Sequence, residues 1–559
     1  MVKRFIDFLS REIVGLHEAA YLLGFFAICS QVLALFRDRI LASEFGAGNV
    51  LDIYYSAFRI PDILFVTVAS VVSVSVLIPF LIERFEKGEK EAKEFIDTVF
   101  SFFFCLISFM GILAYIFTPN LMAKLFPMFA STDSFPELVK LTRILLLSPV
   151  FLGFSNLLAS ITQINKRFFL YAVSPVFYNV GIIIGIKMLY PIFGLSGLGY
   201  GVILGTVLHF LIQVPFIVGQ GVFPAFRFPI KLEFIKKIVF TSLPRTITVS
   251  ANELAELFLI SFASFFIAGS ISIFNFSFNL QSVPFSIIGI SYSLAAFPTL
   301  TRLFSNGDRS KFVEQIITSS RHIIFWSVPV SVLFIVLRAQ IVRTILGAGR
   351  FNWDDTRLTA AALALFTVSL VAQNLVTLFV RSYYSQGKTK TPLLMNVLSA
   401  GLIVAGSYYL IHLFQNNSGF KYFIEAILKV PDVPGTIVLM LPLGFSIGLF
   451  INLLVHWWGF GLHFPTFSKP VLRTLFQTTG ASLIMGFVAY ECLSIFDNYL
   501  NIDTLMGIFL QGFLSGIIGI ISAVIVLYML KSTELKEVWT TLHHKIWKAK
   551  VIPPDAELN

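Results

Sequence analysis

The sequence predicts an all-α polytopic membrane protein of about fourteen transmembrane helices, arranged as two six-helix lobes plus a C-terminal helix pair. Three observations predict it. Of 559 residues, 56% are hydrophobic and only 13% charged, with a mean hydropathy of +0.84, more apolar surface than a soluble chain of this length needs. Apolar runs of about 20 residues, the length that crosses a hydrocarbon core, recur throughout. The charged residues collect in short clusters between those runs.

Met1–Leu16 alternates basic and apolar residues and reads as an interfacial lead-in, with no cleavable signal peptide. Six spans follow: Ala19–Leu41, Leu51–Leu81, Phe95–Phe117, Leu138–Ile164, Phe168–Tyr190 and Gly197–Val218. Six more are Phe240–Phe266, Ile271–Leu303, Ile317–Leu346, Leu358–Tyr384, Pro392–Leu413 and Thr436–Trp458. A last pair is Leu472–Ile495 and Leu505–Leu530. The domains are thus an N-terminal lobe (1–220), a C-terminal lobe (221–465), the extra pair (466–531) and a basic amphipathic tail (532–559). The tail, with Trp539 and Trp547, suits an anionic cytoplasmic leaflet.

The formal net charge is +10, yet nucleic acid is not the expected partner. Arg84/Lys87/Lys90/Lys93, Arg227/Lys231/Lys236/Lys237 and Lys388/Lys390 all fall on one side of the alternating spans. The positive-inside rule then places both termini in the cytoplasm; only Arg338–Arg357 argues otherwise. A weak internal repeat relates Leu41–Pro79 to Phe262–Pro298, each a Gly-containing turn leading into a long helix interrupted by Pro. Six helices separate the copies, an even offset that relates the halves by an axis along the membrane normal.

The chemistry concentrates in the first hairpin, where Arg37, Asp38, Asp52, Arg59 and Asp62 lie within or beside membrane spans. An ionised group at that depth costs about 2.5–3.5 kcal/mol unless it faces protein or a wet cavity. Arg37, Asp52 and Arg59 are positioned to line one cavity, where guanidinium groups would recognise phosphate in a planar, bidentate way. Snorkelling or structural pairing is the rival role for the arginines, and structural pairing is the preferred one for Asp38 and Asp62. In the second lobe, Glu253, Glu256 and Asn396 are candidates for binding a coupling ion, with Arg245 two turns before Glu253. Helix-to-helix hydrogen bonding is the alternative. The histidines are scattered, the three cysteines form no CxxC, and no Walker A sequence is present, so neither metal, organic cofactor nor ATP hydrolysis is expected. Asp354 and Asp355 are the one tempting carboxylate pair for an enzyme, but their adjacency fits a helix start better.

The first-hairpin residues V-L-A-L-F-R-D-R-I-L-A-S-E-F-G-A-G from Val32 and D-I-Y-Y-S-A-F-R-I-P from Asp52 resemble the MurJ/MviN lipid II flippases. That family belongs to the multidrug/oligosaccharidyl-lipid/polysaccharide exporter superfamily. Further similar blocks are F-A-S-F with A-G-S-I-S (Phe262–Ser272), V-P-F-S-I-I-G-I (Val283–Ile290) and F-P-T-L (Phe297–Leu300). G-A-G-R-F-N-W-D-D-T (Gly347–Thr356) and R-S-Y-Y-S-Q-G-K-T-K-T-P (Arg381–Pro392) complete the set. The resemblance implies that Arg37, Asp52 and Arg59 belong to a central cavity. It also shows departures: Gln31, Phe65 and Asn279 stand where the family carries arginine. Arg37, Arg59 and Arg245 would then be the cations left to grip a lipid diphosphate.

The function this implies is alternating-access flipping of a polyprenyl-diphosphate-linked cell-wall precursor, most simply lipid II, across the bacterial inner membrane. The chain would be a transporter and a monomer, driven by membrane potential or a coupling cation, Na or H. Its partners would be the lipid-linked glycan and the surrounding membrane lipids. Another lipid-linked oligosaccharide, a multidrug-type export role, or a homologue that binds without transporting are the alternatives.

Overall fold

The computed structural model describes residues 16–69, 74–165 and 167–547, all in helices and short connections. The Met1–Leu16 lead-in lies almost wholly outside the described residues, as does the tail beyond 547. In chain order, the first part comprises α1 (Leu16–Phe45), α2 (Asn49–Ala57), α3 (Arg59–Leu64), α4 (Val74–Lys87), α5 (Glu89–Leu125), α6 (Phe135–Leu145), α7 (Ser148–Ile164), α8 (Phe168–Ile184), α9 (Leu195–Leu211) and α10 (Val214–Gly219). The middle comprises α11 (Leu232–Ala263), α12 (Ser270–Pro284), α13 (Ser291–Ser305), α14 (Arg309–Val336), α15 (Arg338–Ile345), α16 (Trp353–Val368) and α17 (Leu370–Ser385). Then follow α18 (Lys390–Asn416), α19 (Ser418–Leu428), α20 (Met440–His463), α21 (Ser468–Asp497), α22 (Leu505–Met529) and α23 (Thr533–Trp547).

Among the described residues, 11 helices are long and apolar enough to cross a membrane, or 12 if α16 and α17 make one broken pass. These coincide with the third to fourteenth spans expected from the sequence. The first expected span falls on α1. The second is not one helix: α2, α3, a π turn at Phe65–Ala69 and α4 divide it. Pro61 supplies no amide to the helix ladder, and the π turn follows within one turn of it. The second copy of the repeat does the same, with a π turn at Phe285–Ile290 directly after Pro284. The repeat thus conserves a place where the helix is wound loosely.

The chain divides into two compact units. The first holds Met1–Leu280, Ile345–Phe366 and Thr389–Leu449; the second holds Gln281–Thr344, Thr367–Lys388 and Phe450–Asn559. These packing boundaries differ from the lobe limits at 220 and 465 read from the sequence.

Within the first unit, α8 and α9 pack through small residues. A Cβ on Gly181 would lie 2.3 Å from the Gly205 Cα, and one on Gly185 would lie 2.5 Å from the Gly201 Cα. Lipid tails are as apolar as leucine, so membrane helices gain from such close backbone contact rather than from leaving water. Leu77, Phe95, Phe103, Leu157, Ile161 and Ile217 fill the space between neighbouring passes. In the second unit, Phe379, Phe460 and Phe467 pack their rings together, with centroids 5.4–5.6 Å apart.

Candidate functional site

Among the described residues of the first unit, the buried charges singled out from the sequence fall into three groups. Arg37, on α1, donates from Nε and Nη2 to Asp38 Oδ1 at 2.9 and 2.7 Å. Its Nη1 donates to Asn179 Oδ1 of α8 at 3.1 Å. The other oxygen of Asp38 accepts from Asn279 Nδ2 of α12 at 3.1 Å. Asp38 is 3% exposed. A charge that deep is tolerable because an adjacent guanidinium and an amide satisfy both of its oxygens. Asn279, where the resembled family carries arginine, keeps the link to the carboxylate while giving up the charge.

Asp52 is buried on α2 and is consumed entirely by the start of α12. Its oxygens accept from Gly269 N at 2.6 Å, Ser272 N at 2.8 Å and Ser272 Oγ at 2.6 Å. The first amides of a helix have no partner within it and carry positive partial charge, so a carboxylate borrowed from another helix caps them well. The sequence places Asp52 in a cavity wall; the geometry is that of a helix cap.

The blocks that carried the family resemblance meet at this same end. Gly349, with φ of +56°, brings a backbone so close that a Cβ would lie 2.3 Å from Ser43 O. Gly269, with φ of +96°, does the same against Ala47 O at 2.4 Å. Both need glycine for the left-handed backbone as well as the approach. Arg350 N donates to Ser43 O at 2.9 Å, and Ala47 N donates to Asp355 Oδ2 at 3.4 Å. Asp355 also closes a reciprocal cap: it accepts from Asn352 N at 3.1 Å while its own amide donates to Asn352 Oδ1 at 2.8 Å. This is the helix-start role expected for the Asp354/Asp355 pair.

Arg59 forms the third group. It is 8% exposed. Its Nη1 donates to Glu256 Oε1 of α11 at 2.7 Å, its Nη2 to Asn275 Oδ1 of α12 at 3.0 Å, and its Nε to Tyr55 O at 3.3 Å. Asp62 and Glu253 lie within electrostatic reach of this pair. The guanidinium therefore ties the broken second pass to two helices beyond residue 220. The Glu256 side chain is 20% exposed, so one side of it stays open.

Among the described side chains, Arg37 and Arg59 stand among five carboxylates: Asp38, Asp52, Asp62, Glu253 and Glu256. The sequence suggests a cationic cavity; among the described side chains, each of these two arginines is already paired with a carboxylate, Arg37 with Asp38 and Arg59 with Glu256. Gln31 is half-buried on α1, about 9 Å along the helix from Arg37 at 1.5 Å per residue. Asn396 is 5% exposed on α18. Arg245 lies on α11, but its side chain is outside the described residues. Phe65 packs with the apolar core around Leu64 and Val68. Sequence reasoning missed Asn179, whose signal was an amide placed inside an apolar span.

The second unit is polar in a different way. Gln373 Nε2 donates to Gln281 Oε1 at 3.1 Å and to Ser369 Oγ at 3.0 Å, and Asn374 Nδ2 donates to Ser327 Oγ at 2.7 Å. Beside them an apolar recess of about 480 Å³ is lined by Val283, Ile287, Tyr292, Trp326, Val330 and Phe334 among others.

A family model described as lipid II flippase MurJ matches residues 41–510. The chain is similar to a lipid II flippase MurJ of Burkholderia cenocepacia, 24% identical over 501 residues, covering 87% of this chain and 91% of that protein. It is also similar to a probable lipid II flippase MurJ of Haemophilus influenzae, 29% identical over 393 residues, covering 66% and 76%. Among solved structures, a lipid II flippase MurJ in an inward closed conformation superposes with a TM-score of 0.72 at 24% identity, covering 91% of this chain and 99% of that one. An inward-facing multidrug resistance MATE transporter superposes with a TM-score of 0.61 at 16% identity, covering 78% and 96%. These structures share the fold.

Proposed function

We propose that this chain, which belongs to the lipid II flippase MurJ family, moves a polyprenyl-diphosphate-linked cell-wall precursor, lipid II, across the bacterial inner membrane. It works by alternating access, with both termini cytoplasmic and the halves 1–220 and 221–465 rocking about the polar groups described above.

The observation that supports this reading is the Arg59–Glu256 pair, 2.7 Å apart and joining α3 to α11. Guanidinium recognises phosphate as it recognises carboxylate, by parallel N–H donation. A diphosphate entering from the open side of Glu256 would compete for the same donors. Displacing Glu256 would cut one link between the two halves, so binding the head group and loosening the site become one event. Arg37 offers a second guanidinium, held ready by Asp38 and Asn179. Glu253, the released Glu256 and Asn396 would then hold the coupling cation, Na or H; Gln31 and Asn279 would supply neutral contacts to the head group.

The test is complementation of cells depleted of their own lipid II flippase. The natural chain restores growth; Arg37→Ala and Arg59→Ala, expressed at equal level, do not. Growth with both arginines removed would reject the phosphate role. Failure of the natural chain, with lipid II binding retained, would instead mark a homologue that binds without transporting.

A further inference from the structure

Helix α19 stands apart from the site, between α18 and the short turn at Thr436–Leu439. Its two faces differ completely. Ile424, Glu425 and Leu428 are buried, and Glu425 Oε1 accepts from Thr436 Oγ1 at 2.5 Å. On the other side Tyr422 is 70% exposed, Phe423 56% and Ile427 60%, with Gly419 and Ala426 exposed between them. At about 100° per residue these five positions fill a continuous arc of roughly 140° that carries no Asp, Glu, Lys, Arg or His. Lys421 falls on the opposite arc, 4.0 Å from Glu425.

We infer that this arc is a lipid-binding face, and that α19 lies in the membrane interface as an anchor. Two observations favour lipid over a protein partner. The arc is continuous in chain with α18, a membrane-crossing helix that exposes Leu398, Leu402, Tyr408 and Tyr409. Tyr and Phe on a short amphipathic helix are the residues that settle at head-group depth.

The anchor also bears on the site. Lys429, which ends α19 in a left-handed turn, accepts at its carbonyl from Arg357 Nη2 of α16 at 2.8 Å. Helix α16 begins at the Asn352–Asp355 cap, which holds Ala47. The membrane surface is therefore braced, through α19 and α16, to the end of the first unit closed by Gly349.

The test uses full-length protein with Cys29, Cys105 and Cys492 replaced, reconstituted in phosphatidylcholine–phosphatidylglycerol vesicles. Single spin labels go at Gly419, Tyr422, Phe423, Ala426 and Ile427, with Lys421 as reference. Arc labels should be several-fold more accessible to oxygen, relative to a water-soluble nickel chelate, than the label at Lys421. Arc labels reached by the chelate as readily as Lys421 would overturn the proposal. Exclusion of both reagents from the arc would overturn it too, by showing a protein cover. Labels at the small residues Gly419 and Ala426 keep the test valid if replacing an aromatic perturbs folding.

Discussion

The two units solve the same problem, polar groups inside a membrane protein, with different chemistry. The first unit adds charge to neutral links such as Gln213 with Ser155: Arg37 with Asp38, Arg59 with Glu256, and Asp52 on the start of α12. The second uses neutral amides and hydroxyls, Gln281 with Gln373 and Asn374 with Ser327, and places an ion pair, Arg321 with Glu534, at the attachment of α23. Neutral pairs hold helices together at low cost, and each contributes little. Ion pairs at depth are expensive and are retained where they are broken and remade or where they fix one arrangement. The difference sets the first unit, where the proposed head-group site lies, apart by its buried ion pairs.

The largest effect should come from the Arg59–Glu256 pair. Arg59→Ala strands Glu256 and should cost about 3–5 kcal/mol of stability. The double variant Arg59→Ala/Glu256→Ala should recover most of that in a thermal melt, yet stay inactive in complementation. Additive losses would show that the two side chains act independently and would break the contrast between the units.

Asp52→Asn keeps the shape of the cap but removes its charge and one acceptor. It should cost about 1.5–3 kcal/mol, the worth of hydrogen bonds to a charged group, and lower the melting temperature with no change in ionic-strength dependence of substrate binding. A selective loss of binding would return Asp52 to the cavity role that the sequence suggests.

Glu534 offers a test by pH. Burial raises its carboxyl, but hydrogen bonds from Thr474, Ser532 and Arg321 outweigh that and hold it below its ordinary 4.5. A depressed folded value means the stabilisation is complete above the unfolded value and fades as pH falls through the folded one. Helix α23 should therefore stay attached at neutral pH and become progressively open to proteolysis as the pH falls below 4.5. Glu534→Gln should open it at all pH values, by about 1 kcal/mol. The smallest effect is expected for Gln281→Leu/Gln373→Leu, within about 1 kcal/mol of the natural chain because both partners leave together.

Much of the architecture was legible in sequence because a membrane imposes length and hydropathy on each pass. The third to fourteenth spans each fell on an observed crossing helix or helix pair, with ends off by as much as ten residues at Ile317–Leu346 against Arg309–Val336, and the Gly-turn repeat foretold two helices loosened after a proline. The identities of the charged residues were equally plain: Arg37, Asp38, Asp52, Arg59 and Glu256 stood out because ions are rare among apolar runs. What they bind was not. Asp52 meets Gly269 and Ser272 across 217 and 220 residues, and Arg59 meets Glu256 across 197. No local pattern encodes such distances. The sequence by itself determined that this protein crosses a membrane many times and carries ions to that depth, because hydropathy is additive along a chain. Only the tertiary structure decided which carboxylate neutralises which arginine, since hydrogen bonds form between atoms brought within about 3 Å in space, whatever their separation in sequence.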